Sequence, residues 1–109
     1  LGFPTANLQL DDDCKLVPKS GVYAVTAELE GHSTSFLGMM NIGTRPTFNG
    51  QKTTLETHLF DFDGNVYGRR LSVSLMARLR DEQHFDHTED LKHQMTIDKE
   101  KARQLLTKI

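Results

Sequence analysis

The run Gly21-Val22-Tyr23-Ala24-Val25-Thr26-Ala27-Glu28-Leu29, followed by Glu30-Gly31-His32 and then Ser35-Phe36-Leu37-Gly38-Met39-Met40, decides how this chain folds. β-Branched and aromatic residues favour an extended backbone, and in an extended backbone Tyr23, Val25, Ala27 and Leu29 share one face. Glu30-Gly31-His32 reads as a hairpin turn. The return run is apolar on both faces, as a strand covered on both sides is. An antiparallel pair is therefore expected here, with Pro18 to Gly21 announcing its first strand.

Downstream, Asn41-Ile42-Gly43-Thr44-Arg45-Pro46-Thr47-Phe48-Asn49-Gly50 is dense in Gly, Pro and Asn and is expected to be a large loop. Leu55-Glu56-Thr57-His58-Leu59-Phe60-Asp61-Phe62 is the next expected strand. It ends at Asp63-Gly64-Asn65, a strong hairpin signal. The partner begins at Val66-Tyr67-Gly68-Arg69 and continues with Leu71, Val73, Leu75 and Leu79 on a core face and Ser72, Ser74 and Arg78 on a wet one. After Arg80 to Phe85 the period changes. Asp86 and Glu89 mark a helix entry, Leu91 and Met95 give one turn of apolar spacing, and Asp98 is expected to cap a second stretch striped by Ala102, Leu105, Leu106 and Ile109. Strands at short spacing with helix only at the end predict a mainly β, antiparallel barrel over residues 1–85, closed or covered by a C-terminal helical segment over 86–109. A parallel sheet needs strand and helix to alternate, and here they do not.

The 109 residues suffice for one domain with one core. Lys+Arg 13 against Asp+Glu 15, a formal charge of −2, gives no electrostatic footprint for nucleic acid or an anionic membrane, so neither is expected as a partner. The single cysteine, Cys14, excludes an internal disulfide and a four-cysteine zinc site and fits a cytoplasmic location. No long apolar run and no leader pattern is present. The chain starts inside a structured motif, and we expect it to be a fragment of something longer.

That motif is Leu1-Gly2-Phe3-Pro4-Thr5-Ala6-Asn7-Leu8. Pro4 fixes its own φ and pushes Phe3 toward extended geometry, so the segment is read as a stiff strip with Thr5 and Asn7 on one side. Two neutral oxygens there suit Mg²⁺, which takes oxygen ligands and draws much of its negative charge from substrate phosphates. The alternative is a proline-led turn in which both side chains satisfy nearby backbone. Glu56 is the acid to single out, because its expected strand face carries His58, Phe60 and Phe62, and a carboxylate beside aromatic surface suits a general base. The competing reading is an exposed Glu on an edge strand. His84, His87 and His93 lack HExxH spacing and are read as solvated helix-end residues. Asp11-Asp12-Asp13 reads as a solvated turn. Cys14, in that acidic neighbourhood, is set aside as a nucleophile. Neither a GxxxxGK[ST] nor a strand-linked GxGxxG occurs, which excludes the P-loop and dinucleotide cradles.

An ordered series spanning nearly the whole chain resembles the riboflavin kinase module that forms the C-terminal part of bacterial bifunctional FAD synthetases. It comprises Gly2-Phe3-Pro4-Thr5-Ala6-Asn7, Gly21 to Val25, Asn41-Ile42-Gly43 with Arg45-Pro46-Thr47-Phe48, Leu55 to Leu59 with Asp61-Phe62, Tyr67-Gly68, and Arg80 and Glu82 leading to Phe85. The resemblance implies transfer of the ATP γ-phosphoryl to the 5′-hydroxyl of the riboflavin ribityl chain, with Mg²⁺, on a six-stranded antiparallel Greek-key barrel with a terminal helix. It implies metal binding by Thr5 and Asn7 and catalysis by Glu56 as base. It further implies nucleotide contacts from Gly2, Pro4, Thr5, Asn7, Tyr67 and Gly68, and flavin contacts from a mobile flap bearing Arg80, Glu82 and Phe85. A covalently linked FMN adenylyltransferase module is implied as partner in the longer protein, and FAD synthesis is not expected of this segment.

Family members carry a glycine-rich stretch with a basic residue just before the LGFPTAN segment. This chain starts after it, so one barrel strand and part of the nucleotide-covering loop are expected to lie outside it. His84 stands where a lysine is frequent, which would make a cationic contact pH-dependent. The alternative to a kinase is a small β-barrel that binds a ligand or oligonucleotide without catalysis, as OB-like barrels do.

Overall fold

Strand β2 (Gly21–Leu29) pairs antiparallel with β3 (Ser35–Thr47) in the computed structural model, with Tyr23 opposite Met40 and Ala27 opposite Phe36. The structure describes residues 18–31, 33–62 and 70–107, and the backbone of 5–8. The expected Asp63-Gly64-Asn65 hairpin, Val66 to Arg69, the Asp11 to Asp13 turn and Cys14 lie outside these residues. Strands β1 (Thr5–Leu8), β4 (Gly50–Leu59) and β5 (Leu71–Arg80) complete one antiparallel five-stranded sheet in the order β1-β4-β3-β2-β5. β2, β3 and β4 form a meander, and β5 returns to lie beside β2, which is the Greek-key order. Helix α1 (Thr88–Leu106) follows, so the mainly β, Greek-key, helix-terminated architecture is as expected.

Both faces of β2 are covered. Tyr23 and Val25 pack with Met40, Ile42 and Leu55 on one face. Val22 and Ala24 pack on the other with Met39, Phe60 and Leu79 and with Met95, Ala102 and Leu106 of α1. Complete burial of such side chains stabilises by roughly 1.5–3 kcal/mol each, so the helix is fixed to the sheet chiefly by these contacts. At Gly38 the sheet leaves no room for a side chain, since a Cβ there would lie 2.6 Å from the His58 carbonyl oxygen.

Three local expectations are corrected. Residues 41–50 are not a large loop: β3 continues to Thr47, and Phe48-Asn49 turn into Gly50 of β4. Beyond Ile42, β3 is paired with β4 alone among the described residues, so the missing N–H of Pro46 breaks no second ladder there. The even alternation of β5 is interrupted by register shifts where Val25 faces Leu75 but Ala24 faces Ala77, and where Tyr23 faces Arg78 but Val22 faces Arg80. Each shift leaves an extra residue on β5, Met76 and Leu79, and turns the following side chains to the other face. Leu75, expected in the core, is 38% exposed on the edge strand, whereas Arg80 comes round to the helix side. Third, Asp98 caps nothing. α1 runs through it unbroken, its N-cap is His87, and the Asp98 carboxylate is engaged by Arg80.

Candidate active site

A cavity of about 270 Å³ opens between the α1-facing side of the sheet and the segment that joins β5 to α1. Its floor includes Glu56 on β4, Asn41 on β3, Val22 on β2 and Arg80 on β5, which lie opposite one another in one cross-strand row, and Asn7 on β1 holds the register position opposite Glu56. A second row beside it runs Thr5, His58, Met39, Ala24 and Ala77. Directly opposed residues in a ladder share a face. Asn7 and Thr5 therefore occupy register positions on the face that bears Glu56 and His58. The far wall consists of Glu82, Gln83, His84 and Phe85 from the connecting segment and Leu91, Met95 and Asp98 from α1.

Glu56 and His58 both line the cavity, as two positions of like parity on β4 should. Glu56 is partly buried, and β4 is flanked by β1 and β3, so the exposed-edge reading of this residue fails. Of the two aromatics expected to continue its face, Phe60 does so, packing with Val22, Ala24 and Met39 on the α1 side, whereas Phe62 does not. β4 ends at Leu59 and the chain bends at Phe60 and Asp61, where Asp61 adopts a φ of 56°. Phe60 turns into the core under Lys99 and Arg103, and Phe62 packs edge-on against Phe36. Burial pushes the pKa of His58 below its ordinary 6.5, while the neighbouring Glu56 opposes the shift. His58 is therefore neutral at neutral pH and adds no positive charge beside Glu56.

Arg80 is held rather than free. Its Nε donates to both Asp98 oxygens at 3.0 Å, its Nη2 donates to Oδ2 at 2.8 Å, and its Nη1 donates to the Asp81 carbonyl at 3.0 Å. Gln94 adds a further donor to Asp98 Oδ1 at 3.0 Å. Asp98 is 3% exposed, and a charge so buried persists only when paired and hydrogen-bonded in this way. The clamp ties α1 to the end of β5, from which Glu82 and Phe85 depart toward the cavity. Glu82 also leans over Gly43 of β3, so closely that a Cβ on Gly43 would strike its Oε2.

The structure thus brings Glu56, Arg80, Glu82 and Phe85 to one cavity, with Thr5 and Asn7 in register beside them. Gly2, Pro4, Tyr67 and Gly68 lie outside the described residues. His58, Asp98 and Asn41 are among the cavity residues that the sequence did not mark as site residues. Asn41 carries a further signal, because its Oδ1 is buried and finds no hydrogen-bond partner among the described residues. An orphan of that kind costs about 1–3 kcal/mol. The only hint in the sequence is an amide set in the apolar run Met39-Met40-Asn41-Ile42. Among the described residues, no group of three His, Cys, Asp or Glu side chains converges as metal ligands do. No helix there is long and apolar enough to cross a membrane.

Fold and cavity together define a small Greek-key β domain with a half-polar, half-apolar pocket between sheet and helix, of the kind small molecules occupy. A family model described as riboflavin kinase matches residues 1–106, and the chain belongs to the riboflavin kinase family. It is 46% identical over 106 residues to a bifunctional riboflavin kinase/FMN adenylyltransferase of Pseudomonas fluorescens, covering 96% of this chain and 33% of that protein. It is 43% identical over 105 residues to the protein of the same name in Escherichia coli strain K12, covering 95% and 32%. The chain thus spans about a third of the length of these curated relatives. A crystal structure named as a macrolide-efflux protein of Streptococcus pneumoniae shares the fold with a TM-score of 0.84 and 35% identity, over 94% of this chain and 33% of that one.

Proposed function

We propose that this domain is an ATP:riboflavin 5′-phosphotransferase that produces FMN and ADP. The observation that carries the proposal is the floor of the cavity, where the carboxylate of Glu56 lies in one cross-strand row with Asn7 and Asn41 and faces the segment bearing Glu82 and Phe85. Phosphoryl transfer asks a protein mainly to position two substrates and to receive one proton. On this reading the terminal hydroxyl of the ribityl chain sits at Glu56. Its oxygen attacks the γ-phosphorus, the bond from that phosphorus to the bridging oxygen breaks, ADP leaves, and the hydroxyl proton passes to the Glu56 carboxylate. Phe85, Leu91 and Met95 supply apolar surface for the flavin rings, and Glu82 supplies an acceptor at their edge.

Mg²⁺ would be held by Thr5 and Asn7, whose neutral oxygens, together with substrate phosphates, form the hard-oxygen set that ion prefers. The floor fits a cation, since it carries the carboxyl group of Glu56, burial lowers the pKa of His58, and Arg80 is paired with Asp98. The ion would offset the negative charge gathering on the phosphate oxygens during transfer. Gly2, Pro4, Tyr67 and Gly68 are proposed for the nucleotide side, and Arg80, Glu82 and Phe85 for the flavin side. The two activities in the relatives' names, and the third of their length that this chain spans, support work in tandem with a linked FMN adenylyltransferase module. We place the enzyme in the cytoplasm, with which its single cysteine accords. The test is incubation with riboflavin, ATP and Mg²⁺ and separation of the flavins. FMN and ADP should form in equal amounts, and failure to form FMN would overturn the proposal.

A further inference from the structure

We infer that Asn41 is a specificity-determining residue for the polyol chain of the substrate, its side-chain oxygen accepting a hydrogen bond from a chain hydroxyl next to the one that is phosphorylated. The inference rests on the riboflavin kinase reading above and adds a residue to it. Asn41 lies in the middle of β3, directly between Glu56 on β4 and Val22 on β2. Its Oδ1 is buried, lines no internal hydrogen bond among the described residues, and belongs to a side chain in the cavity wall. Neither neighbour in the row supplies a donor: an ionised Glu56 only accepts, and Val22 has no polar side-chain atom. The guanidinium of Arg80, next along, is held by Asp98 and the Asp81 carbonyl and donates nothing to Asn41 Oδ1.

A buried acceptor with no internal donor is costly, and the cost is recovered when a ligand brings the donor. A polyol carries one hydroxyl on each successive carbon. If its terminal hydroxyl sits at Glu56, the adjacent hydroxyls reach the neighbouring strand, whose side chain in the same row is Asn41, about 5 Å away. The same cavity also offers the apolar side chains of Val22, Met39 and Met95, which suit the ring system that such a polyol is joined to.

The test is steady-state kinetics of Asn41→Leu, which keeps the shape of the side chain and removes its hydrogen bonding, in the full-length protein. Two constants are read at the kinase site: KM for riboflavin, and the inhibition constant of lumiflavin, which has a methyl group in place of the polyol. We expect KM for riboflavin to rise about tenfold, equivalent to about 1.4 kcal/mol. The lumiflavin constant should stay within about twofold, and the melting temperature of the free protein should hold or rise because an orphan has been removed. Asn41→Ser, a milder change, should shift the same ratio in the same direction. Equal weakening of both ligands would mark a general packing effect and overturn the inference, as would an unchanged riboflavin KM. Absence of FMN from the unsubstituted protein would overturn the kinase reading itself and this inference with it.

Discussion

Replacing Asp98 by Ala should destabilise the domain by about 2.5 kcal/mol. The Arg80–Asp98 pair is 2.8 Å apart at its closest, with side chains 21% and 4% exposed. Removing one partner of a buried pair typically costs about 3–5 kcal/mol, because the other charge is left without compensation. Residual water access to Arg80 argues for the lower end, and the better helix propensity of Ala returns about 0.5 kcal/mol. For a domain of this size the melting temperature should fall by about 10 °C or more. Asp98→Asn, which retains one acceptor, should cost less, about 1.5 kcal/mol. Arg80→Met with Asp98→Leu should recover most of the loss, since apolar replacement of a whole buried pair is often neutral or better. Because the clamp holds the departure point of the segment carrying Glu82 and Phe85, Asp98→Asn should also raise KM for riboflavin more than it lowers kcat. Urea or thermal unfolding measures the first effect and steady-state kinetics the second. A loss below about 1 kcal/mol for Asp98→Ala would refute the clamp as a structural tie.

Other substitutions probe the rest of the structure. Gly43→Ala should displace the flexible Glu82 carboxylate with a stability loss of about 1 kcal/mol or less, yet weaken riboflavin binding, as titration of flavin fluorescence would record. Gly38→Ala should cost more, about 2–3 kcal/mol by denaturant unfolding, because a Cβ there meets the backbone carbonyl of His58, which has no freedom to move aside. For His58 the folded state holds the pKa below 6.5, so as pH falls through 6.5 the unfolded chain takes up the proton first and stability declines toward the lower folded value. Above 6.5 both states are neutral and the residue contributes no pH dependence. His58→Gln should remove this component of the decline between pH 6.5 and the acid range, and an unchanged slope in unfolding experiments would contradict the assigned burial.

The strands of the central hairpin were legible because their apolar pattern and turn are local, and the C-terminal helix was legible from the spacing of Met95, Ala102 and Leu106. What was not legible depended on partners distant in sequence. Residues 41–47 have loop-like composition but extend because β4 pairs with them from the other side of a two-residue turn. The extra residues of β5 leave no mark on its composition, yet they turn Arg80 toward α1. Asp98 looks like a cap from its neighbours, and its use is set by an arginine 18 positions earlier. In the site, Glu56, Glu82 and Phe85 stood out through chemistry and resemblance. Asn41 did not, because an orphaned oxygen becomes visible only when its surroundings are in place.

The central claim is that Glu56 receives the substrate proton at the floor of this cavity. It is tested most directly by comparing Glu56→Gln with the unsubstituted enzyme for both riboflavin affinity and single-turnover formation of FMN. The account predicts that the rate of phosphoryl transfer falls by about 10²–10⁴, the usual contribution of a positioned base, while riboflavin affinity changes less than about threefold. Equal losses in affinity and rate, or a rate within about threefold of the original, would contradict it.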